Sequence, residues 1–194
     1  MRMYQIEHKE PLPVLNNLIA QIKAHIADPR KGLPEEIFEF VSSITPMVNV
    51  DLVVLDNQNR VLLSWRDDEH CGAGWHVPGG IVRFKETREE RIVKTALREF
   101  GCEVSFDPSP IAINEVIMPQ EVRGHFVSFI YRCYLPADYV IPEHLRWDKN
   151  QSNENAAGRL KWHSKNPEQW VRGQKQIYKS LFETDRTSNK LPII

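Results

Sequence analysis

The apolar positions of this chain change period several times, and each change marks an element. Val14, Leu15, Leu18, Ile19, Ile22 and Ile26 recur at helical spacing, with Pro13 suited to a first helical turn. Asp28-Pro29-Arg30-Lys31-Gly32 breaks that pattern. A second short helix after Pro34 is predicted to bury Ile37, Phe38, Val41 and Ile44, ending before Pro46. Over residues 47–56 the period falls to two, with Val48, Val50, Leu52 and Val54 on one face and Asn49 and Asp51 on the other. Asp56-Asn57-Gln58-Asn59 reads as a turn, and residues 60–66 as the returning strand of a hairpin.

A loop over 67–74 leads to a short strand, Trp75-His76-Val77, on which His76 reads as a packed residue. Pro78-Gly79-Gly80 predicts a tight turn, since glycine tolerates positive φ without steric cost. Helical spacing returns at Thr87. Thr87-Arg88-Glu89-Glu90 fits a capping box, Ile92, Val93, Ala96, Leu97 and Phe100 make one stripe, and Gly101 stands where a helix stops. Further strands are predicted over 103–106, 111–118, 125–135 and 159–163, with a long polar loop over 136–158. Asn166-Pro167 is predicted to cap a helical ending whose apolar positions are Trp170, Ile177, Tyr178, Leu181 and Phe182.

Composition narrows the class. With 194 residues, 41% hydrophobic and 26% charged, the chain can bury one sizeable core. A net charge of −1 offers no basic excess for a nucleic-acid surface, whereas a small anionic ligand needs only a local cationic pocket. Cys71, Cys102 and Cys133 are odd in number and form no CxxC pair, so neither a disulfide framework nor a zinc site is indicated. Reduced thiols, no apolar core in MRMYQIEHKE and no run of membrane-spanning length lead to the expectation of a cytoplasmic protein without membrane contact.

Residues 79–102, GGIVRFKETREERIVKTALREFGC, carry the chemistry. Gly80, five residues, Glu86, seven residues, then Lys94-Thr95-Ala96-Leu97-Arg98-Glu99-Phe100-Gly101-Cys102 resembles the Nudix box in its spacing throughout. Gly80, Glu86, Glu99 and Gly101 match, Lys94 conserves a charge, and Thr95 and Arg98 replace two of the three glutamates expected on the metal-binding face. Positions 95, 98 and 99 share one helix face, where three carboxylates would make an oxygen-rich patch for Mg²⁺. The depleted patch, with the NVDLVVLDNQNRVLLSWR segment before it, is similar to the GDP-mannose mannosyl hydrolase branch of that superfamily. That branch releases nucleoside diphosphate by cleavage at the sugar carbon and manages with one Mg²⁺.

The resemblance implies an α/β fold with a mixed sheet sandwiched between helices over 46–184; the apolar pattern adds an N-terminal helical extension over 1–45, and 185–194 is expected to be a tail. It implies that Glu99 and the Gly79 carbonyl hold Mg²⁺, that Glu86 and Lys94 pair to brace the box, and that Arg66 clamps phosphate. Asp51, Arg83 and His125 stand at or beside substrate-facing positions of the branch, with Phe126 in place of a tyrosine. Arg98 shares the face of Glu99 and is expected to act on the diphosphate. The branch's catalytic histidine has no counterpart. The loop before Lys161-Trp162 offers Asp148, Asn153, Glu154 and Asn155, of which Glu154 is taken as the general base. A nucleotide sugar is the expected substrate. Pyrophosphatase action on an ADP-ribose-like substrate and non-catalytic nucleotide binding stand as alternatives. The N-terminal helices either pack on the same domain or serve a homodimer contact or a wall over the substrate.

Overall fold

Strand β1 (Met47–Val54) joins the two halves of the fold. It runs parallel to β7 (His125–Tyr134) along its whole length, from Met47 opposite Phe126 to Val54 opposite Cys133. On its other edge it pairs antiparallel with β4 (Gly79–Ile81). Two more strands, β5 (Ser105–Phe106) and β6 (Ala112–Ile117), pair antiparallel with β7. A second sheet has β2 (Val61–Arg66) between β3 (Gly74–His76) and β8 (Leu160–His163), all antiparallel. The computed structural model describes residues 13–68, 72–118, 121–148 and 157–182.

Strand alternation divides the interior in two. Val50, Leu52 and Val54 turn toward helix α3 (Arg88–Phe100) and pack with Leu62, Ile92, Ala96, Phe100 and Tyr131. Val53 turns the other way, to Val61, Leu63, Trp65, Trp75, Ile130 and Trp170. This second core is closed by the C-terminal helix α4 (Gln174–Tyr178) and the 3-10 turn Lys179–Phe182, through Tyr178 and Leu181. A mixed sheet and its antiparallel companion lie between helices, in the α/β arrangement that the resemblance implies.

Four local expectations are corrected. The 47–56 and 60–66 strands do not form a hairpin; β1 and β2 enter different sheets, and their strand pairing is limited to a Leu55–Val61 bridge at the turn. Gly79 and Gly80 are extended in β4 and take no positive φ. Their reason is close approach: a Cβ on Gly79 would lie 2.3 Å from Asp51 Oδ1, and one on Gly80 2.5 Å from Thr95 Oγ1. The C-terminal helix begins at Gln174, after Gly173 in the left-handed region, while Asn166 accepts a hydrogen bond from Trp170 Nε1 instead of capping. The N-terminal stripe stays outside. Helix α1 (Pro13–Ala24) buries no residue, and Ile44 at the end of α2 (Glu35–Ile44) is 67% exposed. Helix α2 touches the β6–β7 connection, where Arg123 lies 4.4 Å over the Phe38 ring and 3.4 Å from Glu35.

Candidate active site

The site is anchored by α3, and local sequence starts that helix where it does. Thr87 Oγ1 accepts from the Glu90 N–H at 3.1 Å, and Glu90 Oε2 accepts from the Thr87 N–H at 2.9 Å, so both orphan donors are satisfied reciprocally. Gly101, at φ 73°, ends it in the left-handed region. Just before α3, the Glu86 carboxylate accepts from Lys94 Nζ at 2.8 Å, from Arg91 Nε at 2.7 Å and from the Arg83 N–H at 3.0 Å. Its burial alone would raise its pKa, but these three donors together hold it down at about 2. Glu86 and Lys94 thus meet, and the nearly buried Arg91 is a third member that the box spacing did not indicate.

At the other end of α3, Arg98 reaches across to β4. Its Nη2 donates to the Gly79 carbonyl at 3.0 Å and lies 2.8 Å from Glu99 Oε1, while its Nε donates to the same carboxylate oxygen at 3.0 Å. The two oxygens expected to hold a metal therefore face one cation between them, supplied by the chain itself. Thr95 does not line the cleft. It is fully buried beneath Gly80, with no hydrogen-bond partner for its hydroxyl among the described residues. No three His, Cys, Asp or Glu side chains converge as a metal cage among the described residues. One carboxylate and one carbonyl suffice for Mg²⁺ when substrate phosphates and water complete its shell, and the guanidinium already seated there shows that the pair attracts a cation.

Glu99 and Gly79 open onto a cleft of about 760 Å³ between the two sheets. Arg66 and Arg98 lie in its wall, with Asn49, Asp51, Ser64, His76, Phe126 and Ser128. The C-terminal segment completes it through Arg172, Gly173, Gln174 and Tyr178, and α2 contributes Glu39. Gln174 is held there because its Oε1 accepts from the Val77 N–H at 2.8 Å. Each arginine of the described wall is paired with a carboxylate: Arg66 with Asp68, Arg98 with Glu99, Arg123 with Glu35 and Arg172 with Glu121.

Asp51 lies at the floor, 2% exposed. Tyr178 donates to its Oδ2 at 2.5 Å and Asn49 Nδ2 to its Oδ1 at 2.6 Å. Burial pushes its pKa up to about 6, against hydrogen bonds from Tyr178, Ser128 and Asn49 that lower it. A carboxyl whose folded pKa exceeds its unfolded value of 3.8 holds its proton longer in the folded state. Its stabilising contribution is full below the unfolded pKa and is lost as pH rises through the folded one. In metal-free buffer, the stability of wild type relative to Asp51→Asn is therefore expected to fall by roughly 2 kcal/mol between about pH 4 and pH 7. Chemical denaturation of both proteins across that range checks it; a pH-independent difference would contradict the buried, proton-retaining carboxyl.

His76 is a wall residue that sequence reading took as merely packed. Its Nδ1 lies 2.9 Å from the Ser64 carbonyl and so carries the proton, which leaves Nε2 as the unprotonated nitrogen. Burial, then the Arg66 charge, lowers its pKa to about 4, so the ring is neutral near pH 7. Arg172, Gln174 and Tyr178 were missed as site residues for a different reason: they are distant in sequence and belong to a segment read only as apolar packing.

The remaining expected residues are placed elsewhere. Arg83 is outside the described cleft wall, and its guanidinium lies over Gly32, where a Cβ would sit 3.2 Å from Nη1. His125 is also outside that wall, with Nε2 3.2 Å from Glu115 Oε1; the strand alternation turns Phe126 and Ser128 into the cleft instead. Glu154 falls outside the described residues. Ala157 and Gly158, next described after it, line the cleft. Among the described residues no helix is long and apolar enough to cross a membrane.

Comparison with known proteins agrees with this architecture. The NUDIX domain family model matches residues 45–181. The low-salt glycan biosynthesis protein Agl8 of Haloferax volcanii is 33% identical over 114 residues, covering 57% of this chain and 72% of that protein. Among solved structures, a UDP-X diphosphatase superposes with a TM-score of 0.51 at 17% identity, over 88% of this chain and 76% of that one. A bifunctional NMN adenylyltransferase/ADP ribose pyrophosphatase from Francisella tularensis gives 0.51 at 18% identity, over 89% of this chain and 49% of the other. At such identities the two structures speak for the fold alone, whereas the family match spans the box, the cleft and the closing C-terminal helix: the chain belongs to the Nudix family and is a hydrolase.

Proposed function

We propose that this Nudix hydrolase acts, with Mg²⁺, on a nucleoside diphosphate derivative, specifically a nucleotide sugar, and breaks the bond at the sugar carbon. The observation that carries the reading is the cation seat with a single side-chain carboxylate, Glu99 opposite the Gly79 carbonyl, with Arg98 between them. The kinship with a protein named for glycan biosynthesis supports a sugar-bearing substrate.

Mg²⁺, when bound, supplies charge neutralisation for the departing diphosphate. Glu99 and the Gly79 carbonyl are the groups that would hold it. Arg66, across the cleft, binds phosphate through its planar fork once it exchanges Asp68 for the substrate. Asp51 fixes Asn49 and Tyr178 at the floor and keeps that wall in register with Gly79. Water adds to the anomeric carbon, the bond from that carbon to the β-phosphate oxygen breaks, and the nucleoside diphosphate leaves with the electron pair. Glu154 takes the water proton in this scheme.

A nucleotide-sugar panel incubated with Mg²⁺ should yield nucleoside diphosphate and free sugar. In ¹⁸O-labelled water, mass spectrometry should find the label in the sugar. Label in a phosphate product, with nucleoside monophosphate and sugar phosphate, would transfer the reading to pyrophosphatase chemistry. Binding without any product would make the chain a non-catalytic nucleotide module.

A further inference from the structure

We propose that Arg98 is a resident cation that occupies the metal seat in the free enzyme and must vacate it, toward the substrate diphosphate, before a divalent ion can bind. The inference rests on the reading of Glu99 and Gly79 as the seat, but not on the identity of the sugar. Three hydrogen-bonding distances place the guanidinium there: 3.0 Å from Nη2 to the Gly79 carbonyl, 2.8 Å from Nη2 to Glu99 Oε1 and 3.0 Å from Nε to Glu99 Oε1. One nitrogen thus lies between the two oxygens assigned to the metal, and guanidinium and metal could not both use them at once.

The arginine is able to leave. Its side chain is 55% exposed, whereas Glu99 is 15% exposed, so the carboxylate is the fixed partner and the guanidinium the movable one. Arginine suits the exchange because its donors fit phosphate oxygens as well as they fit a carboxylate. The same self-pairing recurs around the cleft, in Arg66 with Asp68 and Arg172 with Glu121. In the free protein these cations are neutralised internally, and an incoming diphosphate offers each a second anion. With a divalent ion held at Glu99, the Arg98 guanidinium would be repelled from the seat by like charge and would find its second anion in the substrate phosphate. Metal affinity in the absence of substrate is then set by competition with Arg98, and metal and diphosphate enter cooperatively.

Direct Mn²⁺ titration of the substrate-free protein, read by the electron paramagnetic resonance of free Mn²⁺, tests the competition without turnover. Arg98→Ala is expected to bind Mn²⁺ at least about 10-fold more tightly than wild type. The gain should vanish in Arg98→Ala/Glu99→Gln, which has lost the seat. Arg88→Ala removes the same charge from the first turn of the same helix, where Arg88 lies over Phe129, and should leave affinity within about 2-fold of wild type. Overlapping melting curves for Arg98→Ala and wild type would show that the exposed substitution leaves the fold intact.

Equal Mn²⁺ affinity in wild type and Arg98→Ala would overturn the proposal. So would an affinity gain that survives loss of Glu99, or one that Arg88→Ala reproduces. At saturating Mg²⁺, where the seat is filled in both proteins, kcat/KM of Arg98→Ala should still be about 10- to 100-fold below wild type, because the phosphate has lost its guanidinium. Unchanged kcat/KM there would remove the phosphate half of the proposal. A substrate panel without turnover would sink the functional reading while leaving the titration to decide this one.

Discussion

Glu86→Gln is expected to destabilise the protein by about 3–5 kcal/mol near pH 7, lowering Tm by roughly 10 °C. The carboxylate is 3% exposed and carries Lys94 on one oxygen and Arg91 on the other. Lys94 is 58% exposed and returns to water when its partner goes. Arg91 is 6% exposed at its side chain and cannot, so the amide leaves a buried cation without a counter-charge. The pH dependence gives a second measurement. A carboxylate held at about 2 in the folded state, against a usual 4.5, contributes stability that is complete above pH 4.5 and is lost as pH falls toward 2. Wild type should therefore lose roughly 3 kcal/mol between those values that Glu86→Gln does not lose. Urea denaturation of both proteins at neutral and acid pH reads the difference directly. A neutral-pH change below about 1 kcal/mol would mean that Arg91 finds other solvation and that the brace is dispensable.

Glu99→Gln is expected to cut turnover by at least ~100-fold at fixed Mg²⁺, because metal polarisation supplies several kcal/mol of transition-state stabilisation. Position and volume are kept; the negative charge is not. Among the described wall residues, Glu99 is the carboxylate that stands with the Gly79 carbonyl about a single cation, and α3 offers that site no second acid because Thr95 and Arg98 stand where the box would have glutamates. Turnover measured across a Mg²⁺ titration, with the product assay for detection, separates loss of affinity from loss of the chemical step. Near-wild-type, Mg²⁺-dependent activity in the amide variant would show that the ion is held elsewhere. The Glu86 and Glu99 substitutions also separate from each other, since the first acts on stability at the start of α3 and the second on chemistry at its end.

Much of the site's helix was legible because its determinants are local. Capping needs Thr87 and Glu90 three residues apart, stopping needs a glycine at 101, and the stripe of Ile92, Ala96 and Phe100 requires only helical spacing. The Glu86–Lys94 pair follows from a fixed loop leading into a fixed helix. The pattern of β1 likewise separated the core residues Val50, Leu52 and Val54 from Asn49 and Asp51 on the cleft side. Where local reasoning failed, it assigned a local cause to a tertiary fact. Glycine's freedom alone predicts a turn at Gly79 and Gly80. They are glycines because Asp51 and Thr95 leave no room for a Cβ, and neither neighbour is close in sequence.

By itself, then, the sequence determined the box with its capped helix, the alternation of β1, the resemblance that implies the α/β architecture, and Glu99 as the acid among positions 95, 98 and 99. Hydrogen bonds between near neighbours and the fixed periods of helix and strand suffice for the capped helix and the strand, while the architecture followed from the resemblance that the box carries. Only the tertiary structure decided that β1 and β2 part into different sheets, that Arg172, Gln174 and Tyr178 close the cleft, and that Arg83 and His125 stand outside its described wall. It alone seated Arg98 between Gly79 and Glu99, a contact spanning 19 positions from helix to strand. The physical reason is that such contacts depend on how α3 packs across β4 and β1, and packing is settled by the burial of two whole cores rather than by any short stretch of chain.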